Sequence, residues 1–197
     1  MSTMETARLS RAQQGDKEAF SELVEQYHPQ VFSLCYRMLG NPHDAEDAAQ
    51  ETFLRAYRAM KRYDPKKKFI TWLLSIAANY CIDQHRKKKA VLIDLEQAPQ
   101  SQLRATNPGI EAQMIHREQQ EKVQALLGSL KPKDRAAMVL RFWYDYSYQE
   151  IAATLSLTES AVKSRLHRSR VELAKAWKSG QETNLFLERT KHESPAI

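Results

Sequence analysis

Apolar residues recur every three or four positions along most of this chain. The first clear stripe is Phe20, Leu23, Val24, Tyr27, Val31 and Leu34, which shares one face of a helix. Asp16 is placed to cap that helix. Pro29 predicts that it is perturbed or split, and Gly40-Asn41-Pro42 ends it, because glycine accepts a left-handed C-cap and proline cannot continue. A second helix is predicted from about His43 to Met60. Its first turn holds Asp44, Glu46 and Asp47, where carboxylates face the exposed amides and the positive end of the dipole. Tyr63-Asp64-Pro65 breaks the pattern, and Phe69 to Arg86 reads as another helix with Trp72, Leu73, Ile76, Ala77 and Tyr80 on its apolar side.

From Ala90 to Asn107 the periodicity dissolves into glutamine, proline, serine and threonine, as in a linker. Helical signals return from Ile110 to Leu127, and a further helix opens at Lys131-Pro132 carrying Met138, Val139, Leu140, Phe142 and Trp143. After about Lys178 the residues are polar, and a mobile tail is expected. The pattern predicts an all-α fold of two small helical domains, 1–89 and 110–178, joined by a flexible linker over 90–109 and followed by a polar tail over 179–197.

Composition fits this picture. In 197 residues, 42% are hydrophobic and there are only five glycines and seven prolines, which disfavours a loop-rich β protein. A net charge of +6 favours a polyanionic partner, although charge speaks to association and not to fold. Cys35 and Cys81 lie in separate apolar segments without metal-ligand spacing and read as buried free thiols. The N-terminus has no apolar targeting segment and no stretch approaches the ~18 apolar residues of a membrane span, so a cytoplasmic location is expected.

The sharpest local signal runs from Ser147 to Lys175. Ser147-Tyr148-Gln149-Glu150 is a capping box, Ile151, Ala152 and Leu155 form the inner stripe of a short helix, and Ser156-Leu157 makes a turn. Thr158 then caps a second helix with Val162 and Leu166 inward. Its outer face carries Lys163, Ser164, Arg165, His167, Arg168 and Arg170. A charge run is usually a solvated face, but a tight helix pair ending in a basic helix is the geometry that fits a DNA major groove.

Taken together, DAEDAAQETFLRAYR (44–58), FITWLLSIAANYCID (69–83) and YSYQEIAATLSLTESAVKSRLHRSRVEL (146–173) resemble conserved regions two and four of the extracytoplasmic-function (ECF) sigma factors, a subgroup of the sigma-70 family. The resemblance covers almost the whole chain outside the linker and tail. It implies a subunit that binds core RNA polymerase through the beta and beta-prime subunits and directs transcription initiation at particular promoters. Asp47, Gln50 and Glu51, spaced to share one helical face, resemble the polymerase contact set. Lys66, Lys67, Lys68, Phe69, Asn79 and Arg86 correspond to the part that opens the minus-ten element. The lysines and Arg86 supply cations, Asn79 aligns with a residue of the flipped-base pocket, and Phe69 is open between base stacking and core, with Trp72 read as core. In region four, Lys163, Ser164 and Arg168 align with the residues that reach base edges of the minus-thirty-five element, and Ser160 is counted with the same DNA-binding set. Arg141, Arg165 and Arg170 are expected on phosphates, and His167 over a sugar or base.

Three departures from the family pattern stand out. Ser156 replaces a common glycine at the turn, where a left-handed residue other than glycine costs roughly 1–2 kcal/mol. Ile70 and Ser75 stand where arginines are common, and Ser160-Ala161 replaces a commoner pair. The resemblance further implies an anti-sigma partner, with no cofactor, metal or small-molecule substrate. A rival reading is a helix-turn-helix regulator that binds its operator alone. A nuclease or recombinase would need clustered carboxylates with a second ligand set, and the helix N-terminus already accounts for Asp44, Glu46 and Asp47, so no enzymatic activity is expected.

Overall fold

A computed structural model describes the backbone of residues 3–94 and 111–192, with side chains over 4–88 and 120–178. Every long element among them is an α-helix: α1 (Thr3–Gln13), α2 (Lys17–Leu39), α3 (Pro42–Ala59), α4 (Phe69–Asp94), α5 (Glu111–Ser129), α6 (Pro132–Trp143), α7 (Tyr148–Leu155) and α8 (Glu159–His192). A 3-10 turn, Met60–Arg62, follows α3.

Local chemistry sets most of the helix ends. Asp16 caps α2, its Oδ1 accepting from the Ala19 amide at 3.0 Å. Gly40 closes that helix in the left-handed region at φ 79° and donates to the Tyr36 carbonyl. Asn41 then caps α3, accepting from His43 N at 2.8 Å and Asp44 N at 3.1 Å, so the helix begins at Pro42. Pro29 does not split α2, which runs through it unbroken. Both Pro29 and Glu25, whose carbonyl loses its partner, are exposed, and water can satisfy that oxygen.

In the N-terminal half α2 packs against α1, α3 and α4 around Leu23, Val31, Leu34, Phe53, Leu73 and Leu74. Cys35 and Cys81 meet in this core as free, fully buried thiols. The hydrogen bond between them, reinforced by burial, pushes the Cys81 thiol far up and leaves it unreactive. Helix α4 continues past Lys89 to Asp94, so the first residues of the expected linker are helical, while 95–109 lie outside the described residues.

In the C-terminal half α6, α7 and α8 pack on one another through Val139, Leu140, Ile151, Leu155, Val162 and Leu166, with α5 against α8. Phe142 and Trp143 are not core: they are 54% and 40% exposed, on the wall of an apolar groove of about 430 Å³ shared with α5 and α8. The backbone of α8 stays helical to His192, where the sequence pattern led to the expectation of a mobile tail, and residues 193–197 are outside the described set. No helix among the described residues is long and apolar enough to cross a membrane.

The two halves touch along one seam. The last carbonyls of α2 keep acceptor capacity, Tyr36 beside its bond from Gly40 and Met38 before the helix stops, and partners from the other half converge there. Arg135 of α6 donates to the Met38 carbonyl, and Gln124 of α5 donates to the Tyr36 carbonyl at 3.0 Å. His85 of α4 donates its Nε2 hydrogen to the same Met38 oxygen at 2.7 Å.

Candidate nucleic-acid interface

The predicted helix-turn-helix is built as its sequence implies. Ser147 Oγ accepts from the Glu150 amide at 3.1 Å, and the Glu150 carboxylate accepts from the Ser147 amide at 2.8 Å, so both arms of the capping box are present. Ser156 ends α7 in the left-handed region, φ 51° and ψ 57°, the conformation for which glycine is better suited. Thr158 starts α8, its hydroxyl accepting from the Ala161 amide at 3.2 Å.

On α8, Ser160, Lys163, Ser164, His167, Arg168 and Arg170 are exposed. Ser160 shares a hydroxyl contact with Thr158 at 3.0 Å. Lys163 Nζ sits 5.6 Å above the Tyr148 ring, and the Arg141 guanidinium lies 5.3 Å from the same ring. Tyr148 thus holds two cations beside the α8 face, a role sequence reasoning did not assign to it. Arg141 also donates to the Tyr146 carbonyl at 2.8 Å, and Arg170 reaches the rim of the apolar groove. Arg165 departs from expectation: it is half-buried and ion-paired with Asp134 at 2.6 Å, tying α8 to α6 instead of presenting its charge to a phosphate.

In the N-terminal half, Asp47 and Gln50 are exposed on α3, with Glu51 beside them. Each carboxylate has one basic neighbour four residues away, His43 at 3.2 Å from Asp47 and Arg55 at 2.8 Å from Glu51. Lys66, Lys67 and Lys68 project from the loop before α4, shaped by Asp64, whose carboxylate accepts from the Lys66 amide at 3.0 Å. Arg86 is exposed, 3.5 Å from Asp83. Phe69 is not available for stacking: it is 1% exposed, with its ring against Tyr27, Tyr63 and Trp72. The first residue of α4 points inward because the preceding loop folds back on the Tyr63 hydroxyl, which donates to the Lys67 carbonyl.

Asn79 lies on the face of α4 that meets the other half. Its amide nitrogen donates to Ser75 O at 2.9 Å and to Thr154 O, near the end of α7, at 3.0 Å. Two phenols cross the same seam: Tyr146 donates to Thr71 O and Tyr144 to Gln30 O, each at 2.8 Å. Burial pushes the Tyr144 phenol up to about 12 and raises that of Tyr146 as well, so both remain donors at neutral pH.

Comparison with known proteins agrees with this layout. The profile described as Sigma-70 region 2 matches residues 23–91, and that described as Sigma-70, region 4 matches residues 120–173. The ECF RNA polymerase sigma factor SigW of Bacillus subtilis is 38% identical over 182 residues, spanning 89% of this chain and 97% of the relative. The ECF RNA polymerase sigma-E factor of Escherichia coli is 33% identical, over 82% of this chain and 88% of its own. Among solved structures, CnrH in complex with the cytosolic domain of CnrY has the same fold, with a TM-score of 0.65 at 24% identity over 89% of this chain and 97% of that one. The paired regions and the full-length relatives place this chain among the ECF sigma factors of the sigma-70 family, which join core RNA polymerase and direct initiation at particular promoters.

Proposed function

We propose that the chain works with its two halves as separate DNA anchors, tied to the polymerase through α3. Asp47, Gln50 and Glu51 offer acceptors to a basic surface of the core enzyme. Lys66, Lys67, Lys68 and Arg86 hold phosphates of the opened strand while Asn79 reads a flipped base, unstacking costing a few kcal/mol for each base. Lys163, Ser164 and Arg168 read the minus-thirty-five element, each good base contact contributing about 1–3 kcal/mol of discrimination, with Ser160, His167, Arg141 and Arg170 at its edges. The chain performs no bond chemistry of its own and acts in the cytoplasm. An anti-sigma protein holds it inactive; the structural neighbour RpoE of Bartonella quintana was solved in complex with the anti-sigma factor NepR.

The observation that carries this reading is the exposed set Lys163, Ser164 and Arg168 on a helix set in place by the complete capping box of α7. Run-off transcription tests it, with transcripts sequenced after core polymerase is supplied with genomic DNA and this protein. Initiation at a restricted set of sites sharing two spaced elements is expected. No transcript above core polymerase alone, or a tight footprint by the protein without polymerase, overturns it.

A further inference from the structure

The lysine loop owes its place to residues outside it. From Asp64 to Lys68 every residue is exposed, and Asp64 gathers the amides of Lys66 and Lys67, one on its carboxylate and one on its carbonyl, each at 3.0 Å. Those bonds shape a turn but do not fix it to the bundle. The fixing runs through Tyr63, which is 3% exposed. Its carbonyl accepts from the Gln13 side-chain amide at 2.8 Å, and its hydroxyl crosses the loop to donate to the Lys67 carbonyl.

Gln13 is the last residue of α1, and its amide also reaches the Met60 carbonyl at 3.4 Å. The same helix supports the far end of the loop. Glu5 accepts from the Tyr27 hydroxyl, and the Tyr27 ring lies 5.3 Å from that of Phe69, where the chain enters α4. Among its described residues α1 buries only Leu9 and Ala12, so its share of the core is small. Arg8 fastens it to α2 through Glu22 and Gln26, each at 2.7 Å, without touching the loop. Fastening to the bundle and holding the loop are therefore done by different side chains.

We propose that Gln13 and Tyr63 are positioning residues for strand opening: α1 and the buried phenol together hold Lys66, Lys67 and Lys68 in the shape that meets phosphates of the opened strand. A loop free at both ends would have to be ordered at each encounter, at an entropic cost for every residue fixed, whereas a tied loop arrives already shaped. This rests on the reading of the three lysines as phosphate contacts.

The test uses core polymerase with the full chain on genomic DNA, and permanganate oxidation of unpaired thymines followed over time. Several chain concentrations give a maximal opening rate and a half-saturating concentration for each opened site. Gln13→Ala removes the tie from α1, and Tyr63→Phe removes only the hydroxyl and keeps the packed ring. Each should lower the maximal rate about fivefold, the worth of one ordinary hydrogen bond, and leave the half-saturating concentration unchanged. The dependence of that rate on salt should become shallower by about one in log-log slope, because a displaced lysine no longer neutralises its phosphate. Arg8→Ala weakens the docking of α1 alone and should leave rate and slope as they are. Unmodified rate and slope in Gln13→Ala or in Tyr63→Phe, or equal changes in Arg8→Ala, overturn the proposal. The combined variant Lys66→Ala/Lys67→Ala/Lys68→Ala separates it from the reading beneath it: opening at full rate and slope without the lysines counts against their role on DNA, whereas a defect there with none in Gln13→Ala and Tyr63→Phe counts against the positioning alone.

Discussion

A guanidinium on a basic helix can hold a phosphate or hold its own fold, and Arg165 does the second. Its bond to Asp134 is short and both groups are largely shielded, at 27% and 17% exposure, so screening by water is reduced. A cycle of Arg165→Ala, Asp134→Ala and the double variant, followed by urea unfolding, should give a coupling of about 1 kcal/mol. Promoter binding by the holoenzyme should keep its salt dependence in Arg165→Ala, while Arg168→Ala should reduce the slope by about one. A slope change without a stability change in Arg165→Ala would return that residue to the DNA. Spacing along α8 could not separate the two arginines, because the acidic partner lies on another helix, 31 residues away in sequence.

At the scale of elements, what could be read in the sequence was whatever is decided within a few residues. The capping box of α7, the Asp16 cap and the Gly40 stop are local bonding patterns, and each is present. The splitting of α2 at Pro29 did not follow, because the flanking stripe buried against α3 and α4 outweighs one missing hydrogen bond. The inward turn of Phe69 was not legible either: it depends on Tyr27 and Tyr63, brought together only by the packed bundle. The seam partners of Asn79, Tyr144 and Tyr146 were equally hidden, since their acceptors are main-chain oxygens of distant helices. The α7–α8 turn is an intermediate case, where Ser156 stands at a position suited to glycine and adopts the left-handed conformation. Ser156→Gly should relieve that strain, less the extra chain entropy of glycine, and stabilise the chain by about 0.5–1 kcal/mol in urea unfolding. A loss of stability would mean that the serine side chain contributes more than its backbone costs.

At the scale of the whole molecule, the meeting point of α2, α4 and α6 makes stability depend on pH. Burial holds the His85 pKa below its ordinary 6.5. Arg135 and Lys88 push the same way, whereas the Met38 carbonyl and Asp44 oppose them. The neutral ring is therefore the form the fold prefers, and the unfolded chain binds the proton more readily. Stability is full above about pH 6.5, falls as the pH drops from the unfolded value toward the lowered folded one, and levels off below it. Protonation places a second positive charge beside the Arg135 guanidinium, whose nitrogen is 3.3 Å from His85 Nε2, and that repulsion adds to the cost. Urea midpoints followed from pH 8 to pH 5 should show this trend. In His85→Gln the amide can still donate to the Met38 carbonyl but does not titrate, so the dependence should flatten. An unchanged pH profile in that variant would place the titration elsewhere and leave His85 as a neutral strut.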